Sequence, residues 1–368
     1  MKKILFFIDT LGYGGAEKVL VNLINNMDKS KYDITLMTIF DSGANRQYLQ
    51  EGVKYRYIFK RVFRGNVAFF KLFQPEYLYK KYIKEKYDMV IAYLEGNTTR
   101  ILSGCPYSDT KKLAWIHVEM DMKTRLYPYR SLKECVACYK KYDKIVGVSE
   151  SVIDSFKEHL GEWSNLRVIY NTVDTEYIKK CAAEKAGYID NSDFCAISVG
   201  RLIEQKSYSR LLRIHKRLIN SGYPHKLYII GEGGQHGMLQ KYIDTNNLND
   251  TAKLLGFCDN PWKYVSKADL FICSSWKEGF STAVTESLIV GTPVVTTLCS
   301  GMKELLGDSE YGLITQNDEE SLYNGILALI KDRTLLNRYK QKAIERGRQF
   351  DTTATVKAVE ELIDGVLE

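Results

Sequence analysis

Apolar and polar positions along the chain fall into short blocks that alternate in kind. Lys3–Asp9 is an almost unbroken apolar run rich in Ile and Phe, as in a strand buried on both faces of a parallel sheet. Gly12-Tyr13-Gly14-Gly15 ends that run, and Ala16–Met27 takes up helical periodicity. Further strands are predicted over Tyr32–Ile39, Lys54–Phe59, Asp88–Leu94, Lys112–His117, Lys144–Val148 and Arg167–Tyr170. Helices are predicted between most of them, such as Glu76–Tyr87 and Ser151–Leu160. A polar stretch, Asn171–Ser192, with few strand formers, interrupts the series.

The alternation then restarts. Strands are predicted at Phe194–Val199, Lys226–Ile230, Lys253–Leu255, Leu270–Cys273, Pro293–Thr296 and Gly312–Ile314. Helices fit at Tyr208–Ser221, His236–Asn246, Pro261–Lys267 and Thr282–Val290. After residue 316 the chain reads as helical through Phe350. Alternating strands and helices over both halves imply an α/β protein with two Rossmann-like, doubly wound parallel sheets. The expected domains are 1–175 and 193–350, with a last helix at 353–368 packing back on the first. Open α/β sheets take ligands at the C-terminal ends of their strands. Two such sheets are expected to face each other across a cleft, and the informative residues should lie just after strands.

Composition narrows the class. The chain has 368 residues, 45% of them hydrophobic and 26% charged, which is ordinary for a folded protein of two domains. No apolar run reaches the roughly 18 residues of a membrane span. The first run, Ile4–Ile8, stops at Asp9, short of the about 7–15 residues of a secretory core. The 8 cysteines are scattered, as reduced buried thiols of a cytoplasmic protein would be. Cys135-Val136-Ala137-Cys138 has no second pair or His cluster to complete a zinc set and lies in a stretch that reads as helix.

Charge is unevenly spread. Residues 1–180 hold 30 Lys and Arg against 21 Asp and Glu, a balance of +9; residues 181–368 hold 22 against 24, a balance of −2. Residues 54–86 concentrate the excess, with ten Lys and Arg, two Glu and ten interleaved aromatics. Two readings stand side by side. One is a surface for an anionic membrane face, with a peripheral location on the inner side of the cell membrane. The other is a strand and helix whose aromatics are core. No nucleic-acid motif accompanies the basic excess.

Candidate chemistry follows two strands. After Phe194–Val199 comes Gly200-Arg201-Leu202-Ile203-Glu204-Gln205-Lys206. Two cations beside a helix N-terminus can neutralise a diphosphate. After Leu270–Cys273 comes Ser274-Ser275-Trp276-Lys277-Glu278-Gly279-Phe280-Ser281-Thr282, with Glu286 in the next helix. Gly279 permits close backbone approach, and Ser281 and Thr282 suit a helix N-cap. Carboxylates placed like Glu278 and Glu286 can accept hydrogen bonds from vicinal hydroxyls. Each alone is equally well a cap or a surface ion pair.

The full set of motifs goes further. Ser149-Glu150, Val168-Ile169-Tyr170-Asn171-x-Val173-Asp174, Gly200-Arg201-Leu202-x-x-Gln205-Lys206, Gly231-Glu232-Gly233, Leu255-Gly256-Phe257, Glu278-Gly279-Phe280-Ser281-x4-Glu286 and Gly291-Thr292-Pro293 occur in order. Together they resemble the GT-B retaining glycosyltransferases of family 4 (group 1), which build bacterial polysaccharides and glycolipids. The resemblance spans nearly the whole chain and is tightest over 168–305.

It implies roles position by position. Arg201 and Lys206 match the pair that holds the donor diphosphate as leaving group. Glu286 matches the acid on the nucleotide ribose. Glu278, with the backbone of Gly279, Phe280, Ser281 and Thr282, matches the part that meets the transferred sugar and phosphate. Gly231, Gly256 and Phe257 would border the nucleoside. Gly14 and Gly15 match the glycine loop of the N-terminal half, and His117 the histidine near the sugar. Three departures stand out: Lys206-Ser207-Tyr208 where Lys-Gly-Phe is frequent, Ser300-Gly301 where paired glycines are usual, and Val118-Glu119 after His117.

The implied function is transfer of a sugar from a nucleotide-sugar, a UDP-sugar first, to a saccharide or polyprenyl-linked saccharide in capsule, exopolysaccharide or related synthesis. No D-x-D motif is present, Glu119-Met120-Asp121 being the nearest approach. Transfer is therefore expected to need no metal and no cofactor, with cations and helix N-termini stabilising the leaving group. The competing expectations are a nucleotide-sugar epimerase or a phosphorylase of the same architecture, and a non-catalytic nucleotide-sugar-binding partner.

Overall fold

The computed structural model describes every residue except 13, 121–125 and 188–192. Its contacts divide the chain into two units, Met1–Thr172 with Thr352–Glu368, and Val173–Asp351.

The first unit is built on seven strands: β1 (Lys2–Ile8), β2 (Tyr32–Phe40), β3 (Lys54–Phe59), β4 (Met89–Ala92), β5 (Lys111–Ile116), β6 (Lys144–Gly147) and β7 (Leu166–Val168). All are parallel, in the order β3-β2-β1-β4-β5-β6-β7. Ile4 to Ile8 are completely buried, which is why β1 reads as a continuous apolar run and not an alternating one. The strand order turns between β1 and β4, so the loops after those strands diverge there and leave room for a ligand.

The second unit holds β8 (Cys195–Val199), β9 (Lys226–Ile230), β10 (Ala252–Gly256), β11 (Leu270–Cys273), β12 (Val294–Thr297) and β13 (Leu313–Thr315). They form a parallel sheet in the order β10-β9-β8-β11-β12-β13. Its switch point lies between β8 and β11, the two strands followed by the candidate cations and carboxylates.

The last helix, Thr352–Leu367, belongs to the first unit. Asp364 accepts hydrogen bonds from Lys31 Nζ and Tyr32 Oη, both at 2.6 Å, and Glu360 accepts from the Asp28 amide at 2.7 Å.

Two elements depart from the sequence reading. Thr175–Ala182 is a helix inside the polar join. Asp174 caps it by accepting from Tyr177 N at 3.0 Å. Ile178, Cys181 and Ala182 pack with Trp262 and Ile289, so the polar join belongs to the second unit, which begins at Val173 and not at 193. The helix predicted to Tyr87 ends at Tyr82. Ile83 turns extended and is buried, and Tyr87 is buried on the way into β4.

Residues 59–82 form a small aromatic lobe. Phe59 meets Phe40, Phe63, Phe69, Phe70 and Tyr82 with ring centroids 5.3–6.2 Å apart. The aromatics of the basic segment are therefore largely one another's core. Arg100, wholly buried, pins the lobe from beneath. Its guanidinium donates to Phe70 O at 2.9 Å and Phe73 O at 2.8 Å, and pairs with Glu134 at 2.8 Å. Val62, Leu72 and Tyr77 remain 57%, 74% and 49% exposed on it.

The second unit also buries two histidines in contact. His215 Nδ1 is 2.8 Å from His225 Nε2, and His225 Nδ1 is 2.9 Å from Tyr223 O. A carbonyl only accepts, so a neutral His225 carries its proton on Nδ1 and its Nε2 accepts from His215. Enclosure disfavours the charged form of both rings. Burial, with the His225 ring adding to it, pushes His215 down to about 3, and burial lowers His225. An unfolded histidine titrates near about 6.5. Below that pH the unfolded chain gains protons that the folded unit refuses, so stability falls as pH drops from about 6.5 towards about 3. The loss approaches ~1.4 kcal/mol per pH unit for each fully affected histidine. Urea melts of the wild type and His215→Leu at pH 7.5 and 5.0 check this; the variant should lose less stability on acidification, and equal losses would contradict the assignment.

Candidate active site

In the second unit the loops after β8 and β11 meet. Gly200 and Gly231 permit it. A Cβ on Gly231 would lie 2.0 Å from Gly200 O, and one on Gly200 would lie 2.8 Å from Tyr208 Oη and 3.4 Å from Lys206 Cε. The Lys206 stem therefore passes close over Gly200, and Lys206 Nζ donates to Glu278 Oε1 at 2.6 Å. The pair joins residues 72 positions apart, with 18% and 8% of the two side chains exposed. Burial alone would drive the Lys206 ammonium towards its neutral form; the Glu278 charge and hydrogen bond outweigh it and hold the group above the usual lysine range.

Glu278 is held by more than the lysine. Ser275 Oγ donates to Oε1 at 2.5 Å, and the Cys273 thiol lies 3.9 Å from the same oxygen. Gly279, Phe280 and Ser281 are buried. Ser281 caps the helix Thr282–Ile289 by accepting from Val284 N at 3.5 Å. The positive end of that helix therefore opens beside Glu278. Glu286 lies within the same helix, 7% exposed, and accepts from Trp262 Nε1 at 2.8 Å.

The other predicted residues of this unit lie on neighbouring loops. Arg201 is exposed and has no ion-pair partner among the described residues. Gly256 ends β10 in a left-handed conformation, its carbonyl accepting from Gly231 N at 2.8 Å, and Phe257 beside it is 42% exposed. Ser207 stands where glycine is frequent in the family, and its φ of 55° and ψ of 41° show why. The position is left-handed, which an L side chain tolerates at roughly 1–2 kcal/mol. Gly301 is likewise constrained: a Cβ there would sit 2.4 Å from Gly279 O.

In the first unit, Gly14 is the N-cap of the helix Gly15–Asn26. A Cβ on Gly14 would be 2.1 Å from Glu17 Oε2, so the Glu17 carboxylate folds back over this glycine at the helix start. His117 follows β5 and is 7% exposed; its amide donates to Glu95 Oε2 at 3.0 Å, and its ring lies 4.9 Å from that of Tyr93. Asp9, at the end of β1, completes the edge. Enclosure, then the charges of Glu95 and Glu17, push its carboxyl up to about 7.

Lys206 and Glu278 are thus brought into direct contact, whereas Gly14, Gly15 and His117 sit on the first unit. Sequence reasoning missed Ser275, Asp9 and Glu95. A carboxylate ending the apolar run of β1 was a visible signal for Asp9; Ser275 had none. The nearest approach to a D-x-D motif ends in Asp121, outside the described residues.

Residues 13–177 match the family profile Glycosyltransferase Family 4, and residues 182–346 match Glycosyl transferases group 1. A Campylobacter jejuni protein is 30% identical over 95% of this chain and 96% of its own length. That relative is N-acetylgalactosamine-N,N'-diacetylbacillosaminyl-diphospho-undecaprenol 4-alpha-N-acetylgalactosaminyltransferase. The chain belongs to the group 1 glycosyltransferase family.

An Escherichia coli relative, UDP-Gal:alpha-D-GlcNAc-diphosphoundecaprenol alpha-1,3-galactosyltransferase, is 25% identical over 87% of this chain and 86% of its own length. Among solved structures, Anabaena HepE in complex with UDP and glucose superposes with a TM-score of 0.79 at 17% identity, covering 99% of this chain and 100% of that one. Sucrose-phosphate synthase from Thermosynechococcus elongatus gives 0.80 at 14% identity, over 99% of each chain. These likenesses identify the two parallel-sheet units as the GT-B glycosyltransferase fold.

Proposed function

We propose that this glycosyltransferase moves a sugar from a UDP-sugar to a saccharide carried on a lipid diphosphate, with retention of configuration and without a metal. The observation that carries the reading is the enclosed Lys206–Glu278 pair at the switch point of the second sheet, beside a helix N-terminus. A donor diphosphate needs positive charge where its leaving oxygen develops negative charge. Lys206, the exposed Arg201 and the amides at Ser281–Thr282 supply that charge, and Glu286 suits the ribose hydroxyls.

Transfer then breaks the bond between the anomeric carbon and the phosphate oxygen and forms one to the acceptor oxygen. The acceptor's proton passes to the departing phosphate on the same face. Glu278 is engaged with Lys206 and Ser275, so it serves to orient the cation and the sugar, not as a nucleophile; a covalent sugar trapped on it would overturn that role.

The acceptor class rests on two supports. The Campylobacter and Escherichia relatives are both named for diphospho-undecaprenol saccharides. The second is the basic aromatic lobe, whose exposed Val62, Leu72 and Tyr77 stand among cations. Lys60, Arg61, Arg64 and Lys80 have no ion-pair partner among the described residues. Such a surface suits anionic headgroups at about 1 kcal/mol per well-placed cation, and it supports a peripheral location on the inner face of the cell membrane. Among the described residues no helix is long and apolar enough to cross a membrane.

The test is transfer from a panel of UDP-sugars to a lipid-diphosphate saccharide in excess EDTA, with NMR of the product anomer and flotation of the enzyme on anionic vesicles. Metal-free transfer with retention and co-flotation is the expected result. Inverted product, restoration only by added divalent metal, or no transfer from any UDP-sugar would contradict it.

A further inference from the structure

Arg210 looks in sequence like a surface cation on an amphipathic helix. In the structure it lies in the first turn of the helix Tyr208–Asn220 and is 1% exposed. No carboxylate lies within ion-pair distance of it among the described residues. A buried cation with no directly paired carboxylate, only the more distant charges of Glu319 and Asp318, is costly, and an apolar side chain of similar volume often packs as well.

Its contacts all lead to the loop that carries Glu278. Nη2 donates to the carbonyl oxygens of Ser274 and, at 3.5 Å, Ser275. Nη1 donates to Asn317 Oδ1 at 3.1 Å, and Asn317 Nδ2 donates onward to Trp276 O at 2.9 Å. The Trp276 indole covers the guanidinium at 3.7 Å. Thr297 Oγ1 completes the set by donating to Ser275 O at 2.6 Å. Three successive carbonyls of an irregular loop are thus held from outside, two of them by the guanidinium. Ser275 is the link to the chemistry, because its backbone is fixed by this network while its hydroxyl bonds Glu278.

We propose that Arg210 is a positioning residue, whose guanidinium sets the Ser274–Glu278 loop so that Glu278 presents Lys206 to the donor diphosphate. The inference rests on the donor-site reading above. It is specific to the planar fork of arginine: a lysine at 210 keeps the charge but cannot hold two partners and stack on Trp276 at once.

The experiment measures UDP affinity by calorimetry, with kcat and both KM values, in wild type, Arg210→Lys, Arg210→Met and Asn317→Ala. Arg210→Met is expected to raise the UDP Kd and the donor KM by about 10–100-fold, the scale of a small misplacement in a preorganised site. The acceptor KM should hardly move. Arg210→Lys should restore the melting temperature without restoring UDP affinity, and Asn317→Ala should show a smaller loss of the same kind. A folded Arg210→Met with unchanged UDP Kd, or one whose donor and acceptor KM rise together, would overturn the proposal. If Arg210→Met does not fold, an Asn317→Ala variant with wild-type donor KM overturns it. Wild-type protein that binds no UDP would instead overturn the donor-site reading, and this inference with it.

Discussion

Lys206→Ala is expected to slow sugar transfer by about 10²–10³-fold, the loss of about 2.7–4 kcal/mol seen when one preorganised donor to a developing oxyanion is removed. The size follows from where the ammonium sits. It is enclosed beside the C-terminal edge of the second sheet, with only 18% of its side chain exposed, and it is charged because Glu278 keeps it so. In such a site a charge is screened far less than on a surface. The variant should be less stable, because Glu278 is left enclosed without its cation, but Glu278 keeps its bond from Ser275 at 2.5 Å and the chain should remain folded under assay conditions. Initial rates with saturating donor and acceptor read the effect. A variant within three-fold of wild type would remove Lys206 from the leaving-group machinery.

Glu278→Gln should be the more informative variant, because it separates stability from chemistry. Breaking one side of a buried ion pair typically costs about 3–5 kcal/mol; the partial exposure of Lys206 places the expected loss at the lower end of that range. Without the carboxylate, burial acts on the Lys206 ammonium with less opposition and lowers its pKa from the raised value of the wild type. The sign matters. In wild type the ammonium persists above the ordinary lysine range, whereas in the variant it is lost as pH rises and transfer should fall with it. A bound diphosphate replaces the missing negative charge, so UDP should raise the melting temperature of Glu278→Gln by more than that of wild type. Equal UDP-induced shifts and an unchanged alkaline limb of the rate profile would contradict the pairing.

Much of the fold was legible because parallel strands buried on both faces appear as continuous apolar runs. β1, with Ile4 to Ile8 fully buried, is the plainest case, and β9 and β11 follow it. The helix Thr175–Ala182 was not legible: Glu176, Lys179 and Lys180 give it a polar appearance, and its buried apolar face is only Ile178, Cys181 and Ala182. Its place in the second unit depends on Trp262 and Ile289, more than 80 residues downstream.

The candidate site divides in the same way. Arg201, Lys206 and Glu278 were singled out because each lies in a loop after a strand, where an open sheet takes its ligand, and Glu286 because it lies in the helix that follows. That Lys206 and Glu278 touch depends on β8 and β11 being neighbours, which spacing along the chain does not reveal. Arg210 shows the opposite limit. On a helix with a strong polar face nothing marks it as buried, and only the carbonyls of a loop 64 residues away explain it. In the basic aromatic segment the rings of Phe59, Phe63, Phe69 and Phe70 pack together, as the core reading expected, while Val62, Leu72 and Tyr77 stay exposed.

The central claim is that the Lys206–Glu278 pair receives the donor diphosphate, and a crystal structure with UDP tests it most directly through one distance. The account predicts a diphosphate oxygen within about 3 Å of Lys206 Nζ, with the helix N-terminus at Ser281–Thr282 facing the same group. A diphosphate bound elsewhere, with the Lys206–Glu278 pair still closed at 2.6 Å, would contradict it.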